Sequence, residues 1–126
     1  MSTTACPFCN LAEARIWVQT DSAVAVLDEF PVSPGHTLII PEAHLSTLLE
    51  LSENDLNEIW ALVAHVRKQL IEKYQPAGFN IGINEGRAAG QTVDHAHIHL
   101  IPRFEGDVPD PRGGVRWVIP DKAKYW

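Results

Sequence analysis

Residues 95–102 read His-Ala-His-Ile-His-Leu-Ile-Pro, and this alternation narrows the folding choices more than any other segment. In an extended strand, successive side chains point to opposite faces. Three imidazoles therefore share one face, while Ile98 and Leu100 share the other and belong to a core. A strand with one polar and one apolar face needs a sheet covered on a single side. Residues 52–74 supply the cover. Ser52-Glu53-Asn54-Asp55 reads as a helix start, with Asp where a capping box usually has Glu or Gln. Leu56, Ile59, Trp60, Val63, Val66 and Leu70 then recur at helical spacing on one face, and Gln75-Pro76-Ala77-Gly78 ends the run.

Four further strands complete the sheet. Residues 16–20 and 23–27 form two strands around a tight turn at Asp21-Ser22. Pro31 and Pro34-Gly35 mark a loop, residues 36–40 form a third strand stopping at Pro41, and residues 79–84 form the fourth. The expected architecture is α+β: a five-stranded antiparallel sheet with one long helix and one or two short ones. Residues 1–15 form an N-terminal arm and residues 103–126 a tail of extended segments and loops. The 126 residues suit one domain, 1–126.

Composition excludes several functions. The formal net charge is −6, which disfavours a bulk nucleic-acid binder. Residues 87–126 nevertheless hold six Lys/Arg against five Asp/Glu, so anion chemistry belongs in the C-terminal third. No apolar run reaches the roughly 20 residues of a membrane helix. The N-terminus lacks a basic segment followed by an apolar core, so a cytoplasmic protein without a secretory leader is expected.

The histidines carry the chemistry. Neighbouring imidazoles on one strand face stand roughly 6.5–7 Å apart, room for a tetrahedral phosphate. A neutral imidazole is a nucleophile near neutral pH, and its protonated form is an acid there. Spacing alone leaves two readings open, a metal site or phosphoryl and nucleotidyl chemistry. The glycine-bearing loop 85–90 lies just upstream, where Gly86 and Gly90 let backbone N–H groups approach an anion. Cys6-Pro7-Phe8-Cys9 is half of a tetrahedral zinc site, with His44 and His95 as candidates for the other half. A redox dithiol is the alternative, although the βαβ context of such motifs is missing. His65 reads as a helix-surface or dimer-contact residue. Arg112 and Arg116, beside Gly113-Gly114, read as tail arginines that either pack locally or close over a phosphate chain.

The segment from His95 to Ile101 resembles the signature of the histidine triad superfamily. Gly90-Gln91-Thr92-Val93 resembles its lead-in, and Pro34-Gly35-His36 with Ile39-Ile40-Pro41 resembles its earlier block. The likeness runs in order over roughly residues 6–104. It implies a nucleotide hydrolase or transferase that works through a covalent nucleotidyl-histidine, usually as a homodimer. It makes His97 the nucleophile, His99 the residue assisting at the phosphate and leaving group, and His36 a partner within the histidine cluster. It puts Asp28 on the ribose hydroxyls and Asn84, Gln91 and Thr92 on phosphate oxygens. It also implies a structural zinc on Cys6, Cys9, His44 and His95, as in some triad proteins and the related galactose-1-phosphate uridylyltransferases. The lead-in resembles the branch of the fragile histidine triad protein, which implies adenosine 5′-phosphoryl substrates such as diadenosine tetraphosphate. A purine nucleoside phosphoramidase, or a zinc-stabilised nucleotide-binding module with little turnover, is the alternative.

Overall fold

The computed structural model describes residues 5–126, so the first four residues of the expected 1–15 arm lie outside the described residues. Five antiparallel strands form one sheet: β1 (Ile16–Gln19), β2 (Ala23–Leu27), β3 (Thr37–Pro41), β4 (Gly78–Gly82) and β5 (Ile98–Arg103). Their spatial order is β1-β2-β3-β5-β4. The β1–β2 hairpin closes at the expected turn, where Thr20 N–H donates to the Ala23 carbonyl at 2.8 Å.

The long helix α1 (Glu53–Tyr74) covers one face. Its Ser52 cap accepts from the Asp55 N–H, as the sequence predicts. Ile59, Leu62, Val63, Val66 and Leu70 are buried against Ala23, Ala25, Ile39, Ile98 and Leu100. Each such large aliphatic contributes about 1.5–3 kcal/mol by leaving water. Leu62 belongs to this stripe, and Trp60, counted in it from spacing, is 42% exposed. Trp60 falls about a quarter turn from the stripe's centre line, which runs through Ile59 and Val66. Gly35 fits under the helix end only as glycine: its φ is +85°, and an added Cβ would lie 2.9 Å from the Tyr74 ring.

The opposite face holds a smaller core of Val24, Val26, Leu38 and Ile40, packed by Phe8, Leu11 and Ile16. The N-terminal arm therefore covers part of the face on which the imidazoles stand.

The first and third strands differ from the sequence reading by one residue at their ends, and larger differences fall in the fourth and fifth strands and the tail. The fifth strand begins at Ile98 and not at residue 95. Ahead of it, the Ala96 N–H donates to the Leu45 carbonyl and the His95 ring bonds the Pro41 carbonyl, so this stretch is tied to the loop after β3. The fourth strand ends at Gly82, whose partner is His99, and residues 83 and 84 lie outside the ladder. The tail holds a 3₁₀ turn (Gly114–Val118) and a short helix α2 (Pro120–Ala123), where extended chain was expected. Pro120 opens α2, a position at which a missing N–H does no harm. Among the described residues no helix is long and apolar enough to cross a membrane.

Candidate active site and metal centre

Ala96, just ahead of β5, joins Ile98 and Leu100 of the strand in the core on the helix side, and the imidazoles stand on the other. The three imidazoles then separate into two sites.

His97 and His99 line a cleft of about 420 Å³ together with His36, Asp28, Asn84, Gln91 and Thr92. His97 Nδ1 lies 2.9 Å from the His95 carbonyl. A carbonyl only accepts, so Nδ1 carries the proton and Nε2 keeps its lone pair. His36 is fixed in the opposite tautomer. The Val32 N–H donates to its Nδ1 at 3.1 Å, so the His36 proton sits on Nε2. That N–H donates to His99 Nδ1 at 3.0 Å, which leaves the His99 proton on Nε2. The cluster thus presents one free imidazole lone pair and one imidazole N–H donor on neighbouring rings, whose centroids are 5.0 Å apart.

Burial keeps this pair of protons in place. It pushes His99 down to about 4, helped by the rings of His97 and His36 and opposed by Asp28. Burial also lowers His36 against the pull of Asp28. Both rings are therefore neutral near pH 7, as the hydrogen-bond chain requires. Asp28 Oδ2 lies 3.4 Å from His36 Nε2 and 4.0 Å from His99 Nδ1. Its Oδ1 accepts from the Phe30 N–H at 2.9 Å, which holds the carboxylate in an Asx turn at the cleft.

The glycine loop is braced from within. Gln91 Oε1 accepts from the Gly86 N–H at 2.8 Å, and its Nε2 donates to the carbonyls of Ser46 and Val93. Gly86 and Gly90 both have positive φ and flank a single 3₁₀ turn at Arg87–Ala89. The Gln91 amide thus shapes this loop, while Thr92 and Asn84 are exposed at the cleft.

His95 turns away from the cleft. Its ring is buried, with Nε2 donating to the Pro41 carbonyl at 2.7 Å, so the Nδ1 lone pair faces Cys6 and Cys9, each 3.5 Å away. His44 Nδ1 lies 3.1 Å from Cys9 Sγ. All four ligand atoms fall within 4.8 Å of one another. A tetrahedral zinc with bonds of about 2.0–2.3 Å has ligand–ligand edges of roughly 3.3–3.8 Å, so the donor set fits such a cation. The Pro41 carbonyl supplies the outer partner that a metal-bound imidazole usually has. Burial, followed by the neighbouring Cys6, raises the Cys9 thiol above its ordinary value, a penalty that a bound cation would relieve.

Sequence reasoning treated Phe8 as a spacer. Its ring meets His97 edge-on at 4.9 Å and lines the cleft. The available signal was its place between two metal-type ligands, which fixes it beside whatever His95 adjoins. Arg112 and Arg116 go the other way. Arg112 pairs with Asp110 and lies 4.4 Å over the Trp126 ring; Arg116 lies 5.0 Å from the Tyr125 ring and donates to the carbonyls of Lys122 and Ala123. They pack within the tail. His65 is exposed on α1.

A five-stranded antiparallel sheet with one covering helix, bearing a histidine cluster on its open face beside a Cys₂His₂ set, defines a histidine triad protein. The chain belongs to the HIT domain family, whose pattern matches residues 11–106. It is 38% identical over 109 residues to an uncharacterized HIT-like protein of Saccharolobus solfataricus, covering 83% of this chain and 78% of that protein. It is 33% identical over 94 residues to the asymmetrical bis(5′-nucleosyl)-tetraphosphatase of Schizosaccharomyces pombe, covering 75% of this chain but only 52% of that protein. A crystal structure of a Zn-bound histidine triad family protein from Mycobacterium smegmatis superposes with a TM-score of 0.74 at 30% identity, covering 93% of this chain and 92% of that one. Hydrolases of nucleotides thus stand among the relatives of this chain, and one of its structural neighbours binds zinc.

Proposed function

We propose that the protein is a nucleotide hydrolase or nucleotidyl transferase acting at the α-phosphate of nucleoside 5′-phosphoryl compounds, dinucleoside polyphosphates such as diadenosine tetraphosphate among them. The observation that carries this reading is the His97 Nδ1–H bond to the His95 carbonyl at 2.9 Å, which leaves an unprotonated Nε2 on a ring lining the cleft. In this mechanism Nε2 attacks phosphorus and the bond to the polyphosphate leaving group breaks, giving a nucleotidyl-histidine. The His99 Nε2–H donates to the charge building on the transferred group or the departing oxygen. Water then attacks phosphorus, the P–N bond breaks, and the nucleoside monophosphate leaves with one proton released to solvent. Asp28 accepts from the ribose hydroxyls, while Thr92, Asn84 and the N–H groups of the braced glycine loop hold phosphate oxygens.

Cys6, Cys9, His44 and His95 hold a structural zinc in this reading, which ties the N-terminal arm to the start of the catalytic strand. The two cysteines are unpaired, which suits a reducing, cytoplasmic setting. A homodimer is supported by β4, which lies at the sheet edge with Ile81 exposed and Ile83, just past its end, exposed too. The decisive experiment mixes the protein with diadenosine tetraphosphate, quenches at mildly alkaline pH during turnover, and weighs the intact chain. A mass increment of one nucleotidyl group, absent in His97→Asn, is expected. Rapid product formation without any increment refutes the covalent route.

A further inference from the structure

The cleft has an end that the phosphate chemistry does not use. The strand order determines what lies along it. Asn84 follows β4, His97 and His99 belong to the β5 segment, His36 precedes β3, Asp28 and Glu29 follow β2, and Arg15 precedes β1; all of them line the one cleft. Crossing the sheet from β4, a ligand meets the histidines, then Asp28 and Glu29, and last Arg15. Neighbouring strands are about 4.8 Å apart, so the three steps from β5 to β1 span roughly 14 Å. That length takes a phosphate, a ribose and a base in sequence. With phosphorus at His97 and the ribose at Asp28, as the proposed function has it, the base falls toward Arg15, with Glu29, the residue after Asp28, lining the same cleft.

These two side chains are of opposite charge and are not neutralising each other. Arg15 is half-buried and lines this cleft as well as a neighbouring pocket formed with Trp17, Leu27 and Tyr74, and its Nη2 donates to the Leu27 carbonyl at 3.1 Å. Among the described residues neither Arg15 nor Glu29 enters an ion pair. Phe8 and Leu38 give the same cleft apolar surface for the face of a ring.

We propose that this end of the cleft reads guanine. The proposal rests on the nucleotide reading above and narrows its substrate class. Guanine carries two parallel donors, N1–H and the N2 amino group, which match both oxygens of one carboxylate. Its O6 and N7 are two adjacent acceptors that match an arginine fork. Adenine offers a carboxylate one donor at N6 and turns the N1 lone pair toward the second oxygen. Cytosine offers N4 alone. Only guanine engages both side chains through two bonds each. The resemblance to adenosine-cleaving proteins implies the opposite base, so the two expectations part cleanly.

The test uses the full chain and two readouts. Binding of GMP, AMP and CMP is measured by calorimetry, and kcat and KM are measured for diguanosine and diadenosine tetraphosphate. GMP should bind more tightly than AMP by on the order of tenfold, the value of a charge-assisted bond at a partly solvated site. In Glu29→Gln and in Arg15→Leu the guanine-to-adenine ratio should fall toward one, with the loss in the guanosine substrate appearing in KM more than in kcat. A merely structural role for either residue would move both substrates together. The proposal is overturned if wild type prefers adenine or shows no preference, or if Glu29→Gln leaves the ratio unchanged. Cleavage of both dinucleotides at equal efficiency would sink the base assignment while sparing the nucleotide reading. Failure to bind or cleave any of them would sink both.

Discussion

Acid should destabilise this protein through His99 in a way that can be isolated and measured. The ring is largely buried, with its side chain 22% exposed, and its folded value lies at about 4 against an ordinary 6.5. The folded state therefore disfavours the proton that the unfolded chain accepts. Stability is complete above pH 6.5, declines as the unfolded imidazole protonates, and levels off once pH passes below the folded value. Each unit of pH between those limits costs up to about 1.4 kcal/mol. The contribution lost is about 2 kcal/mol at pH 5 and about 3 kcal/mol at pH 4. His36 is lowered too, and a metal set loses its cation in acid, so the wild-type curve alone mixes causes. The measurement is urea unfolding of wild type and His99→Asn at pH 7.5, 6, 5 and 4.5, taking the difference at each pH. His99→Asn should be less stable than wild type at pH 7.5, and the gap should close by about 2 kcal/mol on reaching pH 5. A difference that stays constant across this range would mean His99 titrates normally in the fold, and the neutral His36–His99 chain would have to be abandoned.

Other outcomes follow from the same geometry. His97→Asn should abolish release of nucleoside monophosphate while calorimetric affinity for it stays within a few fold, because in the proposed mechanism the ring attacks and does not anchor. Elemental analysis should find about one zinc per chain, from the four-ligand rule, and prolonged chelation or Cys9→Ser should lower the thermal midpoint before activity at 25 °C is lost; a fully folded, metal-free preparation of unchanged midpoint would contradict this. Gly35→Ala should cost about 1–3 kcal/mol in chemical unfolding, since its Cβ would meet the Tyr74 ring at 2.9 Å with φ at +85°.

How far the sequence reveals all this depends on whether a feature is local. The helix was legible because its cap, its apolar stripe and its terminator lie within 27 residues of chain, and the three-strand meander because its turns are short. Trp60 shows the limit of a stripe read by eye: the periodicity is present, but which flank faces the sheet depends on the packing of Leu62. The start of β5 was misplaced for a nonlocal reason. Alternation continues through His95, yet the bonds to Pro41 and Leu45, more than 40 residues back, take that stretch out of the ladder. Phe8, Arg15 and Glu29 escaped notice because strands brought side by side place them on one cleft, and nothing in a linear reading puts residues 8, 15 and 29 there together. One or two short helices were expected, but the place of α2 in the tail was missed because what ties it down, the Arg116 guanidinium on the carbonyls of Lys122 and Ala123, acts only once the chain has turned back.

The departure of His95 from the ladder has a mechanistic consequence. The residue belongs to both sites: its imidazole faces the cysteines, and its carbonyl accepts the proton that sets the His97 tautomer. A regular β5 extending to residue 95 would direct that carbonyl into the sheet ladder and leave His97 Nδ1 without a fixed acceptor. Either nitrogen could then carry the proton, and the nucleophilic lone pair would point into the cleft only part of the time. Anchoring the ring at Pro41 and in the Cys₂His₂ set holds the peptide in the orientation that the neighbouring ring needs. Phe8, fixed between Cys6 and Cys9, supports the same ring from its edge. A cation held by this set would therefore act on the proposed chemistry through one carbonyl and one aromatic ring, without touching substrate. It follows that loosening the set should reduce kcat and leave KM for the phosphoryl donor nearly unchanged, whereas damage at Asp28 or Arg15 should do the reverse.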